Sequence, residues 1–147
     1  MFRRIKQFFV RKPVGVFTEL GFGDAIDRLS ILEIKISRIS GVRQKIAREN
    51  FCSLRDDLYR AKCDPLNVPE YSSLLTVNSQ LWDVEDDVRK LGQVAFADIL
   101  GDASLKFMQL AQSVYLLNDK RSELKVAIDL RQGTRHREVK SYADTKE

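Results

Sequence analysis

Residues 107–128, FMQLAQSVYLLNDKRSELKVAI, decide the fold of this chain. Phe107, Leu110, Val114, Leu117, Arg121, Leu124 and Ile128 recur at alternating steps of three and four. That spacing draws one stripe along an α-helix. Six of the seven are apolar, and the seventh is a permanent cation. A buried guanidinium requires a carboxylate or a bound anion beside it, because an unpaired buried charge costs several kcal/mol. The alternative is that the long stem carries the charge out to solvent. The stripe thus predicts a helix in a packed core and a polar cluster around Arg121.

Similar stripes occur upstream. Ala25, Leu29, Leu32, Ile36 and Ile39 form one, on a helix beginning near residues 22–24 and ending near Gly41. Ala47, Phe51, Leu54, Leu58 and Ala61 form a second, on a helix from about Val42 to Lys62. The third is the longest: Leu74, Val77, Leu81, Val84, Val88, Leu91 and Ala95. Asp64, Pro65 and Pro69 mark the turn before it, with Pro69 suited to a first helical turn. Gly92 is a candidate kink or end, and Gly101–Asp102 a cap and restart before a helix from about Ser104 to Arg131, ended by Gly133. Four apolar helical stripes in one chain of 147 residues predict an all-α helical bundle of about four main helices, in a single domain. The expected division is a basic N-terminal arm over 1–15, a bundle over 16–132 and a polar C-terminal tail over 133–147. The arm and tail are expected to be flexible.

Charge and composition narrow the function classes. Residues 1–18 hold Arg3, Arg4, Lys6, Arg11 and Lys12 and no acid; removing these five from the net charge of +4 leaves −1 for the remainder. The basicity is local, which disfavours a nucleic-acid-binding face spread over the fold. The first segment interleaves Phe2, Ile5, Phe8 and Phe9 with its cations. It reads as a solvated arm or, alternatively, as a short amphipathic segment for an anionic membrane surface through residues 1–12. No apolar run has transmembrane length, and no signal peptide is evident. The two cysteines, Cys52 and Cys63, lie eleven positions apart in the predicted second helix, too far for a disulfide, so they read as reduced thiols of a cytoplasmic protein, peripheral to a membrane if the arm binds one. One histidine, His136, leaves no multi-histidine metal site.

Polar stripes flank the apolar ones: Asn78, Trp82, Glu85 and Arg89 on the third helix, and Tyr115, Asn118, Ser122, Lys125 and Asp129 on the fourth. The candidate ligand-binding residues are Glu33, Lys35, Asn78, Trp82, Glu85, Arg89, Asn118, Arg121 and Lys125. In this reading Glu85 or Glu33 pairs with Arg121, Trp82 walls the cluster, and Asp27, Glu33 and Lys35 close it from the first helix. Set against it, Glu85 and Arg89 are four apart and suit a solvated ion pair of a few tenths of a kcal/mol. Asp83, Glu85, Asp86 and Asp87 resemble a Mg²⁺ cluster in composition, but such a run is usually a solvated face, so no metal is called for. There is no P-loop, GxGxxG, CxxC or HExxH, and no cofactor is called for.

Three segments carry a family resemblance: GDAIDRLSILEIKISRI at 23–39, LWDVEDDVR at 81–89 and SVYLLNDKRSELKVAIDL at 113–130. With Lys140–Tyr142 they resemble the DUF6165 family of small bacterial and viral proteins, over residues 16–142. That family brings no established activity, and its members' proximity to glycan and lipopolysaccharide genes implies a link to that chemistry. The sequence leaves three readings open. The first is a binding or interaction module whose polar cluster takes an anionic small molecule or partner. The second is a small all-α enzyme acting on a phosphorylated or carboxylated metabolite, with Glu85 as acid/base and Arg121 and Lys125 as anion binders. The third is a structural homodimer packed through the Arg121 stripe.

Overall fold

The structure, a computed structural model, describes residues 18–97 and 101–135, with side chains from 93 to 97 left aside. The arm at 1–15, His136 and the Lys140–Tyr142 motif lie outside the described residues. Four α-helices, α1 (Phe22–Arg38), α2 (Gly41–Arg60), α3 (Tyr71–Ala97) and α4 (Asp102–Gln132), account for nearly all of what is described. One 3-10 turn, Pro65–Asn67, lies between α2 and α3, and no strand occurs among the described residues. The protein is an all-α bundle.

Helix α1 is the central element, packed against α2, α3 and α4. Its apolar stripe is buried as expected at Ala25, Leu29 and Leu32. A second stripe is buried too: Gly23, Asp27, Ser30 and Ile34, at steps of four, three and four. A helix buried on two sides needs partners for both, and here the second partner is the α3–α4 hairpin. The main core joins Ala25, Ile26 and Leu29 of α1 to Leu58 of α2, Cys63, Val68, Leu74 of α3 and Ile128 of α4, with Phe22, Phe51, Leu54, Tyr71 and Leu124 packed against it. Truncating a side chain as buried as Leu74 or Ile128 to Ala costs about 2–5 kcal/mol.

Several boundaries differ from the sequence reading. Helix α1 stops at Arg38, so Gly41, with φ of +68°, opens α2 instead of capping α1. Helix α2 ends at Arg60, leaving Cys63 buried in the turn beyond it; both cysteines are free. Pro69 lies two residues before α3; Pro65 takes the first-turn role in the 3-10 segment, capped by the Asp64 carboxylate, which accepts from Leu66 N–H at 3.0 Å. Helix α3 continues past Gly92 without ending there, and the glycine's open side faces Phe107. At the far end Gly133 adopts φ of +65°, the left-handed conformation that glycine tolerates, and its N–H turns back to Leu130.

Helices α3 and α4 form an antiparallel hairpin. Arg131 meets Glu70 at its base, and Gly92 lies opposite Phe107 towards its tip. The polar contacts from α1 reach α3 up to Asp83 and α4 from Arg121 to Asp129. Nearer the tip the hairpin's own seam is only half-buried, at Val84, Val88 and Leu91 on α3 and Phe107, Leu110, Val114 and Leu117 on α4.

Candidate functional site

Arg121 does meet a carboxylate. Its Nε and Nη2 donate to the two oxygens of Asp27 at 2.9 and 2.6 Å, a bidentate pair. The Asp27 side chain is 6% exposed and that of Arg121 is 29% exposed. Asn78 of α3 donates from Nδ2 both to Asp27 Oδ1 and to Ser30 Oγ, each at 2.8 Å. Ser30 in turn donates to the Asp27 main-chain carbonyl. A carboxylate held by one guanidinium and one amide has both oxygens satisfied, which is what permits its burial.

One turn towards the end of α4, Lys125 Nζ lies 2.7 Å from Asp24 Oδ1, with the Lys125 side chain only 12% exposed. One turn further, Asp129 Oδ1 accepts from Gly23 N–H at 2.7 Å. Residue 23 is in the first turn of α1, whose N-cap, Gly21, supplies no side-chain cap. Asp129 therefore caps α1 from another helix, satisfying a first-turn N–H and placing negative charge at the positive end of the helix dipole. The close approach depends on Gly23: a Cβ there would overlap the Lys125 carbonyl and press on Asp129. Three carboxylates thus face a guanidinium, an ammonium and a helix N-terminus along one contact between α1 and α4. The charges compensate one another, and the arrangement acts as a lock between helices.

The nine candidate residues separate into several places. Asn78 and Arg121 share the buried cluster, and Lys125 lies beside it. Glu33 and Glu85, expected as partners of Arg121, have other principal partners: Asp27 takes the bidentate contact. Glu33 accepts from the Tyr71 hydroxyl. Glu85 accepts from Arg89 at 3.1 Å on an exposed face, so that pair is the solvated one that its spacing suggested. Trp82 does not wall the Arg121 cluster; it lies under the Arg38 guanidinium, 5.9 Å from the ring centroid, and lines a groove of about 370 Å³ with Lys35. Asn118 donates to the Val114 carbonyl of its own helix at 3.0 Å. Of the acidic run, Asp83 pairs with Arg38, Asp86 with Arg89 and Asp87 with Lys90. Arg38 holds the Asp83 carboxyl below its usual range.

A concave site lies on the opposite side of α1. Between α1, α2, the 3-10 turn and the start of α3 is a groove of about 510 Å³. Leu29, Ile36, Phe51 and Pro65 give it an apolar floor, and Glu33, Tyr71, Arg48, Arg55 and Tyr59 supply polar groups. Burial and the hydrogen bond to Glu33 push the Tyr71 phenol far above its ordinary value, so it remains a donor at all ordinary pH. Arg55 pairs with Asp56 at 3.0 Å. Arg48 is exposed and has no carboxylate partner among the described residues. Glu33 is the one candidate residue in this groove. Arg48 and Arg55 lie with Cys52 and Tyr59 on one flank of α2 at steps of four, three and four, a spacing that could have singled them out, whereas Tyr71 comes from a loop-to-helix junction that no spacing connects to that flank.

No family model matches the chain, and no curated protein or solved structure does. No helix among the described residues is long and apolar enough to cross a membrane.

Proposed function

We propose that the protein is a binding module and that its ligand is a small anionic molecule seated in the groove between α1 and α2. The observation that supports this is the pairing of an apolar, aromatic-lined floor with two arginines, one of them without a carboxylate partner among the described residues. Pockets of this size, with a few polar groups over an apolar lining, are where small ligands are taken. The Arg48 and Arg55 guanidiniums supply the fork that recognises a phosphate or carboxylate. Phe51, Tyr59 and Tyr71 offer flat faces for a sugar or other ring, and Glu33, oriented by Tyr71, offers an acceptor for a hydroxyl. The DUF6165 resemblance, with its link to glycan chemistry, makes phosphorylated and carboxylated sugars the first ligands to try.

The Arg121 cluster is less suited to that role, because its cations are already engaged by Asp27 and Asp24. An entering anion would have to displace a bidentate carboxylate. The test is thermal unfolding of the full chain against glucose 1-phosphate, glucuronate, AMP and inorganic phosphate, since a ligand of the native state raises the transition by mass action. The expected result is a rise with at least one of them that is lost in Arg48→Ala and kept in Arg89→Ala. A flat response to all four, or a rise that survives Arg48→Ala with Arg55→Ala, removes the groove from consideration.

A further inference from the structure

Helix α4 carries a second apolar stripe. Leu105, Met108, Tyr115 and Leu116 are 53–59% exposed. At 100° per residue they centre almost opposite the seam of Phe107, Leu110, Val114 and Leu117 that faces α3. A helix that is apolar on two opposed faces is ordinarily covered on both. Here α3 covers one, and nothing among the described residues covers the other.

We propose that this outer stripe is the contact face of a symmetric homodimer, in which α4 of one copy packs antiparallel against α4 of a second. The spacing of the stripe favours a second copy over other occupants. A twofold axis passing near Ala111 and Gln112 sets Leu105 of each copy against Leu116 of the other and Met108 against Tyr115. A twofold contact must be self-complementary in this way. Ala111 and Gln112 at the axis bring no charge into the contact, and the acids Asp119 and Glu123 close the stripe at its end. Complete covering of the four apolar side chains with flanking Gln109, Gln112 and Asp119 sets an upper limit of roughly 700 Å² per copy, a little under the ~800 Å² per partner of a standard stable interface.

The proposal differs from a dimer built on the Arg121 stripe, since Arg121 is engaged by Asp27 inside one copy. It is independent of the groove ligand.

Sedimentation equilibrium of the full chain at micromolar concentration is the test, with circular dichroism as the check on folding. The wild type should sediment at twice its 16.9 kDa chain mass. Leu105→Lys and Leu116→Glu, each on the solvent side of a helix and expected to stay folded, should each weaken association at least 100-fold. Mixed together they should associate again, because the mixed pair opposes Lys to Glu at one contact and keeps Leu against Leu at the other. A wild type that is monomeric throughout overturns the proposal, whether the stripe proves to be covered by the chain's own terminal residues or by lipid vesicles. A dimer indifferent to both substitutions overturns it equally. Single variants that dissociate but do not recombine overturn the antiparallel register.

Discussion

Residues 118–129 of α4 lie under α1, while among the described residues the main neighbour of residues 105–116 of the same helix is α3. In the first half Ser122, Ile128 and Asp129 are buried, and Arg121 and Lys125 are paired. In the second half the seam is half-buried, and Leu105, Met108, Tyr115 and Leu116 are open to solvent. The composition runs against intuition: the more polar half is the better buried. Burial follows the number of neighbouring helices, and polarity is tolerated wherever a partner helix supplies the complementary group. The α1 contact is held by matched charges and the α3 contact by apolar packing. A charged contact fixes register, because each group has one acceptable partner, whereas an apolar stripe accepts any surface of suitable shape. The polar half therefore sets the helix arrangement, and the apolar half is left available.

The contrast is sharpest if Arg121 is cut back. Arg121→Ala strands the Asp27 carboxylate beside Asn78 and should cost about 3–5 kcal/mol in urea unfolding. A loss under about 0.5 kcal/mol would class Arg121 with the surface arginines and dissolve the distinction between the two halves. Gly23→Ala should destabilise strongly as well, by about 2–3 kcal/mol, because α1 must move off the Lys125 carbonyl; an unchanged midpoint would mean the helices are not in close contact there. Asp129→Ala removes the cap from the start of α1, with an expected loss of about 1–2 kcal/mol. Arg89→Ala, on the exposed face of the hairpin, should change stability by no more than about 0.5 kcal/mol, the worth of a solvated pair.

Acid gives a separate probe of the hairpin base. Arg131 donates to Glu70 at 2.6 Å and holds its carboxyl below the usual range. A depressed carboxyl stabilises the fold above its unfolded value, near pH 4.3, and the gain is lost as pH falls through the lower folded value. The melting temperature should therefore fall on acidification below about pH 4.5. That fall should be shallower in Glu70→Gln, and an equal slope in the two proteins would take Glu70 out of the acid response.

The four helices were legible because each carries an apolar stripe of regular period, and α4 was bounded within two residues by Gly101 and Gly133. The need for a carboxylate at Arg121 was legible too, from one cation standing on an apolar stripe. Its partner was harder to choose. Asp27 belongs to the stripe of Gly23, Ser30 and Ile34, which has helical period but is mostly small or polar, and so resembles a solvated flank. Only the burial of α1 on two sides tells it apart, and that depends on how three helices assemble. Lys125 and Asp129 illustrate the same difficulty on α4: their stripe was visible, but it faces a helix and not a ligand. In the groove, Arg48 and Arg55 share the period of one α2 flank with Cys52 and Tyr59, but that flank is polar and reads as solvated, and tertiary structure alone brings Tyr71 and Glu33 to it.

The most direct measurement is a double-mutant cycle on Asp27 and Arg121, from chemical unfolding of wild type, Asp27→Leu, Arg121→Met and the double variant. The account predicts two strongly destabilised single variants and a double variant that loses less than the two single losses added together, with a coupling energy of about 2–3 kcal/mol, because removing both charges leaves neither stranded. Additive losses, with a coupling under about 0.5 kcal/mol, would contradict the claim that this pair locks α1 to α4.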